Sequence, residues 1–74
     1  MSKTYTRTAT EHETGRPVTR VHEVITSPGR VAVRKYRNGQ SQPGYAEDIR
    51  TRFPALTAWR VGMTLRRDGY RRTA

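Results

Sequence analysis

The four residues Ser27-Pro28-Gly29-Arg30 constrain this chain's fold more than any other short stretch. Proline pre-sets φ at the second position of a turn, and glycine accepts the positive φ of the third, as a type II turn requires. β-Branched runs flank the turn, Val18 to Thr26 before it and Val31 to Tyr36 after it. The pattern predicts a hairpin pairing roughly 18–26 with 30–37. Alternation in the first run is imperfect, because Val21 and Ile25 fall on one parity and Val18 and Val24 on the other. That reads either as a bulge or as a strand covered on both faces. Upstream, Thr4, Thr6, Thr8 and Thr10 occupy every even position, which suits a strand with an all-threonine face. A disordered N-terminal arm is the competing reading. Asn38-Gly39 is expected to stop the second hairpin strand, and the polar residues that follow make 38–44 a linker.

From Tyr45 the period changes. Tyr45, Ile49 and Phe53 recur every four residues, with Glu47 and Asp48 where a helix start favours carboxylates. A short first helix is expected, closed by Pro54. Thr57 is the expected N-cap of a second helix running to Arg67, with Asp68-Gly69 as its C-terminal stop. Ile49, Phe53 and Leu56 are assigned to the core, with Ala58, Val61 and Leu65 as the inner stripe of the second helix and Tyr70 closing it. Residues 70–73 read as a short strand or a basic tail. The fold class is therefore α+β: an N-terminal antiparallel sheet of about three strands, then two short C-terminal helices in helix-turn-helix outline. All 74 residues form one small domain, with a β-hairpin region at 3–37, the linker at 38–44 and a helical basic half at 45–74.

Composition excludes several classes of function. The 74 residues contain no cysteine, so disulfides, thiolate metal sites and thiol nucleophiles are out of reach. Only 32% of the residues are hydrophobic, and chains of about 60 residues bury only about 60% of their unfolded surface. A thin core leaves little room for a deep catalytic cleft. No phosphate-binding glycine loop or nucleophile elbow occurs. His12 and His22 are too widely spaced, without a third strong ligand, to suggest zinc. The expectation is no enzyme activity, no cofactor and no metal. No apolar run is long enough for a membrane helix or resembles a signal peptide, so a cytoplasmic protein with no membrane partner is expected.

The charge is uneven. Thirteen of the fifteen cations are arginine. Residues 1–29 carry four cations against three acids, a net of +1, and residues 30–74 carry eleven against three, a net of +8. Such a basic half is the footprint of a polyanion binder. Arginine excess alone is ambiguous, because GC-rich coding produces it as readily as phosphate recognition does.

The run from Tyr45 to Arg72 carries the Thr57 cap, Val61-Gly62, Leu65 and Gly69-Tyr70 followed by Arg71 and Arg72. It resembles the helix-turn-helix of winged-helix DNA-binding modules found in phage and plasmid proteins. On that resemblance the start of the second helix enters a major groove, with Thr57, Trp59, Arg60 and Met63 at base edges. Arg66, Arg67, Arg71 and Arg72 then reach phosphates, joined by Arg34 and Arg37 from the sheet. The implied function is a small DNA-binding accessory or transcription-regulating protein of phage or mobile-element type, acting on duplex DNA as a homodimer. Trp59 has a competing role as the main core residue, which would rotate the outer face of the helix. Two other functions stay open. One is an inhibitor or adaptor that binds a host protein. The other is RNA or single-strand binding through the cations and tyrosines of the sheet.

Overall fold

A computed structural model describes residues 1–41 and 46–74. Three long strands form the centre of an antiparallel sheet: β1 (Ser2–Thr10), β2 (Pro17–Ser27) and β3 (Arg30–Arg37). Three short strands complete it: β4 (Gln40–Ser41), β5 (Glu47–Arg50) and β6 (Arg71–Arg72). β4 and β5 pair with successive parts of the same edge of β3, while β6 pairs with β1 at the opposite edge. A single helix, α1 (Pro54–Arg67), lies across one face.

The turns follow from local chemistry. Gly29 has φ +74°, and Ser27 pairs directly with Arg30, so Pro28-Gly29 closes the β2–β3 hairpin. Asn38 and Gly39 both have positive φ, at 50° and 80°, and Arg37 pairs with Gln40. This is the backbone of a two-residue type I′ hairpin. Asn38 therefore reverses the chain rather than ending the sheet, and 38–41 of the expected linker are a hairpin. Gln42–Gly44 of that linker lie outside the described residues, as does Tyr45.

β1 is a full strand, paired residue for residue with β2 from Ser2↔Ile25 to Thr10↔Pro17. No bulge interrupts this ladder. The mixed parity of β2 instead divides its valines between faces. Val18 and Val24 point to the side that carries α1, while Val21 and Ile25 are half-buried on the open side. Tyr36 and Ala32 share that open face with the threonines of β1.

The expected pair of C-terminal helices is corrected to one. Residues 47–50 are strand β5, hydrogen-bonded to β3 with Ile49 opposite Val31. A helix of about eight residues barely repays its own nucleation, whereas the free edge of β3 offers ready backbone partners. Glu47 and Asp48 serve this edge rather than a helix start. Glu47 pairs with Lys35 at 3.4 Å, and Asp48 with Arg30 at 3.4 Å. Without a first helix there is no helix-turn-helix.

α1 also begins three residues earlier than Thr57. Pro54 occupies the first helical turn, where its missing N–H costs nothing and its φ is already helical. Phe53, held out of the α region by that proline, is the N-cap with φ −126°. At the other end the chain closes a Schellman motif. Tyr70 N–H donates to the Leu65 carbonyl at 3.0 Å, and Gly69 N–H to that of Arg66 at 3.1 Å. Gly69 sits at φ +89° between them. The motif turns Tyr70 back into the core beside Leu65, and the chain leaves it directly into β6.

The core holds Tyr5, Val24, Val31, Val33, Ala58, Leu65 and Tyr70, with Val61 packed against it. Ala58, Gly62 and Leu65 are the buried positions of α1. At Gly62 the helix comes so close to the sheet that an added Cβ would collide with the Tyr5 hydroxyl and lie 3.1 Å from its Cζ. Phe53 and Leu56, expected in the core, are exposed at 68% and 46%. Small residues on the inner face bring the helix down onto Tyr5, which leaves no gap for large side chains at its N-terminal end.

Gly62→Ala is expected to lower stability by about 1 kcal/mol net in urea unfolding. Overpacking costs about 1–3 kcal/mol, partly offset by about 1 kcal/mol of helix propensity. In a Tyr5→Phe background, which removes the colliding oxygen and leaves the ring carbon at 3.1 Å, the same change should cost less than in the unaltered protein. A gain from Gly62→Ala in the unaltered protein would contradict the close packing.

Candidate nucleic-acid interface

The outer face of α1 follows from its inner one. With Ala58, Val61 and Leu65 turned to the sheet, Leu56, Trp59, Arg60, Met63, Arg66 and Arg67 project outward at spacings of three and four. Trp59 is 58% exposed, which overturns its reading as the main core residue. That role is divided between Tyr5, held in β1, and Tyr70, turned into the core by the helix stop. The exposed stripe is thus mixed: Leu56, Trp59 and Met63 run along it, and arginines flank them.

Two cavities adjoin this stripe. A groove of about 300 Å³ is lined by Trp59, Arg60, Met63, Thr64 and Arg67. On the other side of Trp59 and Met63, a cavity of about 90 Å³ lies between α1, β1 and β6. Lys3 and Arg72 enter it from the sheet, Arg66 from the helix, and Tyr5 and Gly62 also line it. Lys3 was not among the residues singled out from the sequence. Its signal was parity, since it shares the face of Tyr5, but which face the helix would cover was not readable.

The remaining expected contacts separate. Thr57 does not reach the outer face. It is half-buried, its hydroxyl donates to Thr51 Oγ1 at 2.9 Å, and it lines a different groove. Arg37 is on the helix side, but its guanidinium donates to Glu11 at 2.8 Å. Arg34 and Arg71 belong by register to the opposite face of the sheet, with Arg34 paired across from Glu23 and Arg71 from Thr6. Trp59, Arg60, Met63, Arg66, Arg67 and Arg72 are therefore brought together, while Thr57, Arg34, Arg37 and Arg71 are not. The cations and tyrosines expected to act jointly on the sheet are also split: Tyr5 is buried under the helix, and Tyr36 lies on the far side.

Charge sharpens this geometry. Among the described residues three ion pairs form, and all involve β3. Arg60, Arg66, Arg67, Arg72 and Lys3 take part in none of them. Arg66 and Arg67 lie in the last turn of α1, where cations offset the negative end of the helix dipole. Carboxylates gather on the other flank of the helix, where Glu47 and Asp68 line a groove of about 360 Å³ with His22, Lys35 and Arg60.

His22 lies beneath that groove. Its Nε2 is 3.2 Å from the Tyr70 hydroxyl, and the two ring centroids are 4.7 Å apart. Burial, reinforced by the Lys35 ammonium, holds the imidazole below its ordinary pKa of 6.5. Among the described residues no group of three or more His, Cys, Asp or Glu side chains could hold a metal ion. No helix of the described residues is long and apolar enough to cross a membrane.

In comparison with known proteins, no protein-family model, no curated protein and no solved structure matches this chain.

The lowered His22 pKa has a pH consequence. The unfolded chain binds the proton more tightly than the folded one, so stability rises with pH between the folded-state value and 6.5 and is fully recovered above it. The urea midpoint should therefore rise as the pH is raised toward 6.5 and gain nothing further from this group above it. His22→Gln should flatten that part of the profile, and an unchanged slope would remove His22 as its source.

Proposed function

We propose that the protein binds DNA through the outer face of α1 and the cations beside it, as an accessory or regulatory factor. The supporting observation is one exposed helix face on which Arg60, Arg66 and Arg67, with Lys3 and Arg72 alongside, surround Trp59 and Met63, none of the five joining an ion pair among the described residues. Fourteen residues make a helix of about 21 Å. A helix held by a sheet on one side can present the other to a major groove about 12 Å wide. Arg60 and Met63 would then approach base edges, and Arg66, Arg67 and Arg72 would hold phosphates. A second copy on an adjoining half-site would double these contacts, which suits so small a domain.

The apolar part of the same stripe favours one other reading. Phe53, Leu56, Trp59 and Met63 together offer an exposed apolar strip to a partner protein with acidic margins. The two readings differ in what holds the complex together.

The test is the salt dependence of binding to a labelled duplex. With Lys3, Arg66, Arg67 and Arg72 on phosphates, affinity should fall by roughly two orders of magnitude between about 50 and 200 mM salt. The double variant Arg66→Gln/Arg67→Gln should make the log–log slope shallower by about 2. Absence of duplex binding even at low salt would refute the proposal. Salt-insensitive capture of an acidic protein, lost on Trp59→Ala, would support the alternative instead.

A further inference from the structure

We propose that the 90 Å³ cavity between α1, β1 and β6 is a phosphate pocket, and that Trp59 at its rim stacks the base of an unpaired nucleotide. The protein would then select nucleic acid with unpaired nucleotides, either a single strand or the overhanging end of a duplex. This inference rests on the nucleic-acid reading and adds the form of the ligand.

The lining of the cavity carries the argument. Lys3, Arg66 and Arg72 come from three separate elements, and no carboxylate lines the space they share. Arg66 and Arg72 flank the helix stop, six residues apart, and Lys3, more than sixty residues away in the chain, joins them because β1 pairs with β6 and α1 packs over Tyr5. Like charges gathered around one open hollow repel, and an anion bound among them relieves that repulsion. Tyr5 is buried and also lines the cavity, and its phenol is a hydrogen-bond donor. It can donate to an anionic oxygen. Gly62 lets the helix sit directly against that ring, since a Cβ there would collide with the Tyr5 hydroxyl. A cavity of this size admits a tetrahedral phosphate but not a nucleoside.

The neighbouring groove is the larger one, at about 300 Å³, and it shares Trp59 and Met63 with the smaller cavity. A nucleotide with its phosphate among Lys3, Arg66 and Arg72 would have its base beside the exposed indole. Base–aromatic stacking needs a free base face, which a paired and stacked duplex does not present. The thioether of Met63 adapts its shape to whatever lies against it. An aromatic platform beside a cationic track is the arrangement by which single strands are held without sequence preference.

The test compares a blunt duplex, the same duplex with a five-nucleotide overhang, and the single strand, as DNA and as RNA, using the full chain at low salt. The single strand and the overhang should bind about tenfold more tightly than the blunt duplex, with quenching of Trp59 emission. Lys3→Gln/Arg72→Gln should weaken every form of the ligand but bring the single strand and the overhang down to the affinity of the blunt duplex, erasing the preference, and circular dichroism would verify that the fold persists. Inorganic pyrophosphate should compete with the overhang in the unaltered protein and not in the double variant. Equal affinity for blunt and overhanging duplex, or a preference that survives the double variant, would overturn the pocket while leaving DNA binding intact. Failure of every oligonucleotide to bind would remove both readings.

Discussion

The contact of Gly62 with Tyr5 sets the height and rotation of α1 on the sheet, and most of the surface depends on it. Because position 62 has no side chain, the helix settles directly on the ring of a β1 residue. Ala58 and Leu65 lie one turn to either side and extend that contact along the helix. Once this inner line is set, 3.6 residues per turn leave Trp59, Arg60, Met63, Arg66 and Arg67 no direction but outward. Tyr5 is also the residue of β1 that pairs with Arg72 in β6. One tyrosine thus positions the helix above it and the basic terminal strand beside it.

The two faces of the sheet differ in consequence. One is covered by α1 and bordered by cations. The other is open, lined by the threonines of β1 with Val21, Ile25, Ala32 and Tyr36 half-buried between them. Some strand cations face an acid, as with Arg34 opposite Glu23 and Arg30 beside Asp48, whereas Arg7, Arg20 and Arg37 stand in one row across β1, β2 and β3. Exposed pairs of cation and acid contribute little stability, but they lower the positive potential of the face that carries them. Around α1, Arg60, Arg66, Arg67, Lys3 and Arg72 join none of the ion pairs among the described residues, and there positive charge coincides with the exposed indole. That coincidence, more than the total charge, favours a nucleic-acid ligand.

Local chemistry made the strands and turns legible. Pro28-Gly29 and the alternating valines specified a hairpin whose register is set by a two-residue loop. Asp68-Gly69 ended α1 where glycine tolerates a positive φ, and the inner stripe of Ala58, Val61 and Leu65 stood at helical spacing. Asn38-Gly39 carried an equally strong hairpin signal, since both residues accept positive φ, and treating it as a stop hid β4. The region after it was misread for a different reason. Tyr45, Ile49 and Phe53 have helical spacing, yet Ile49 is held opposite Val31 by the edge of β3, a partner supplied from 18 residues upstream. Periodicity describes a segment in isolation, and here a long-range ladder outweighed it.

By itself, the amino-acid sequence determined the hairpins, the end of the helix, the small residues of its inner face and the concentration of positive charge after Arg30. Each of these depends on residues close in the chain, through allowed φ values, side-chain alternation or a simple count. Only the tertiary structure decided that Trp59 is exposed, that Arg34 and Arg71 lie behind the sheet, and that Lys3, Arg66 and Arg72 surround one cavity. Those outcomes depend on which face of the sheet the helix covers and on the pairing of β6 with β1. Both are contacts between segments some sixty residues apart, and neither leaves a mark in the local pattern.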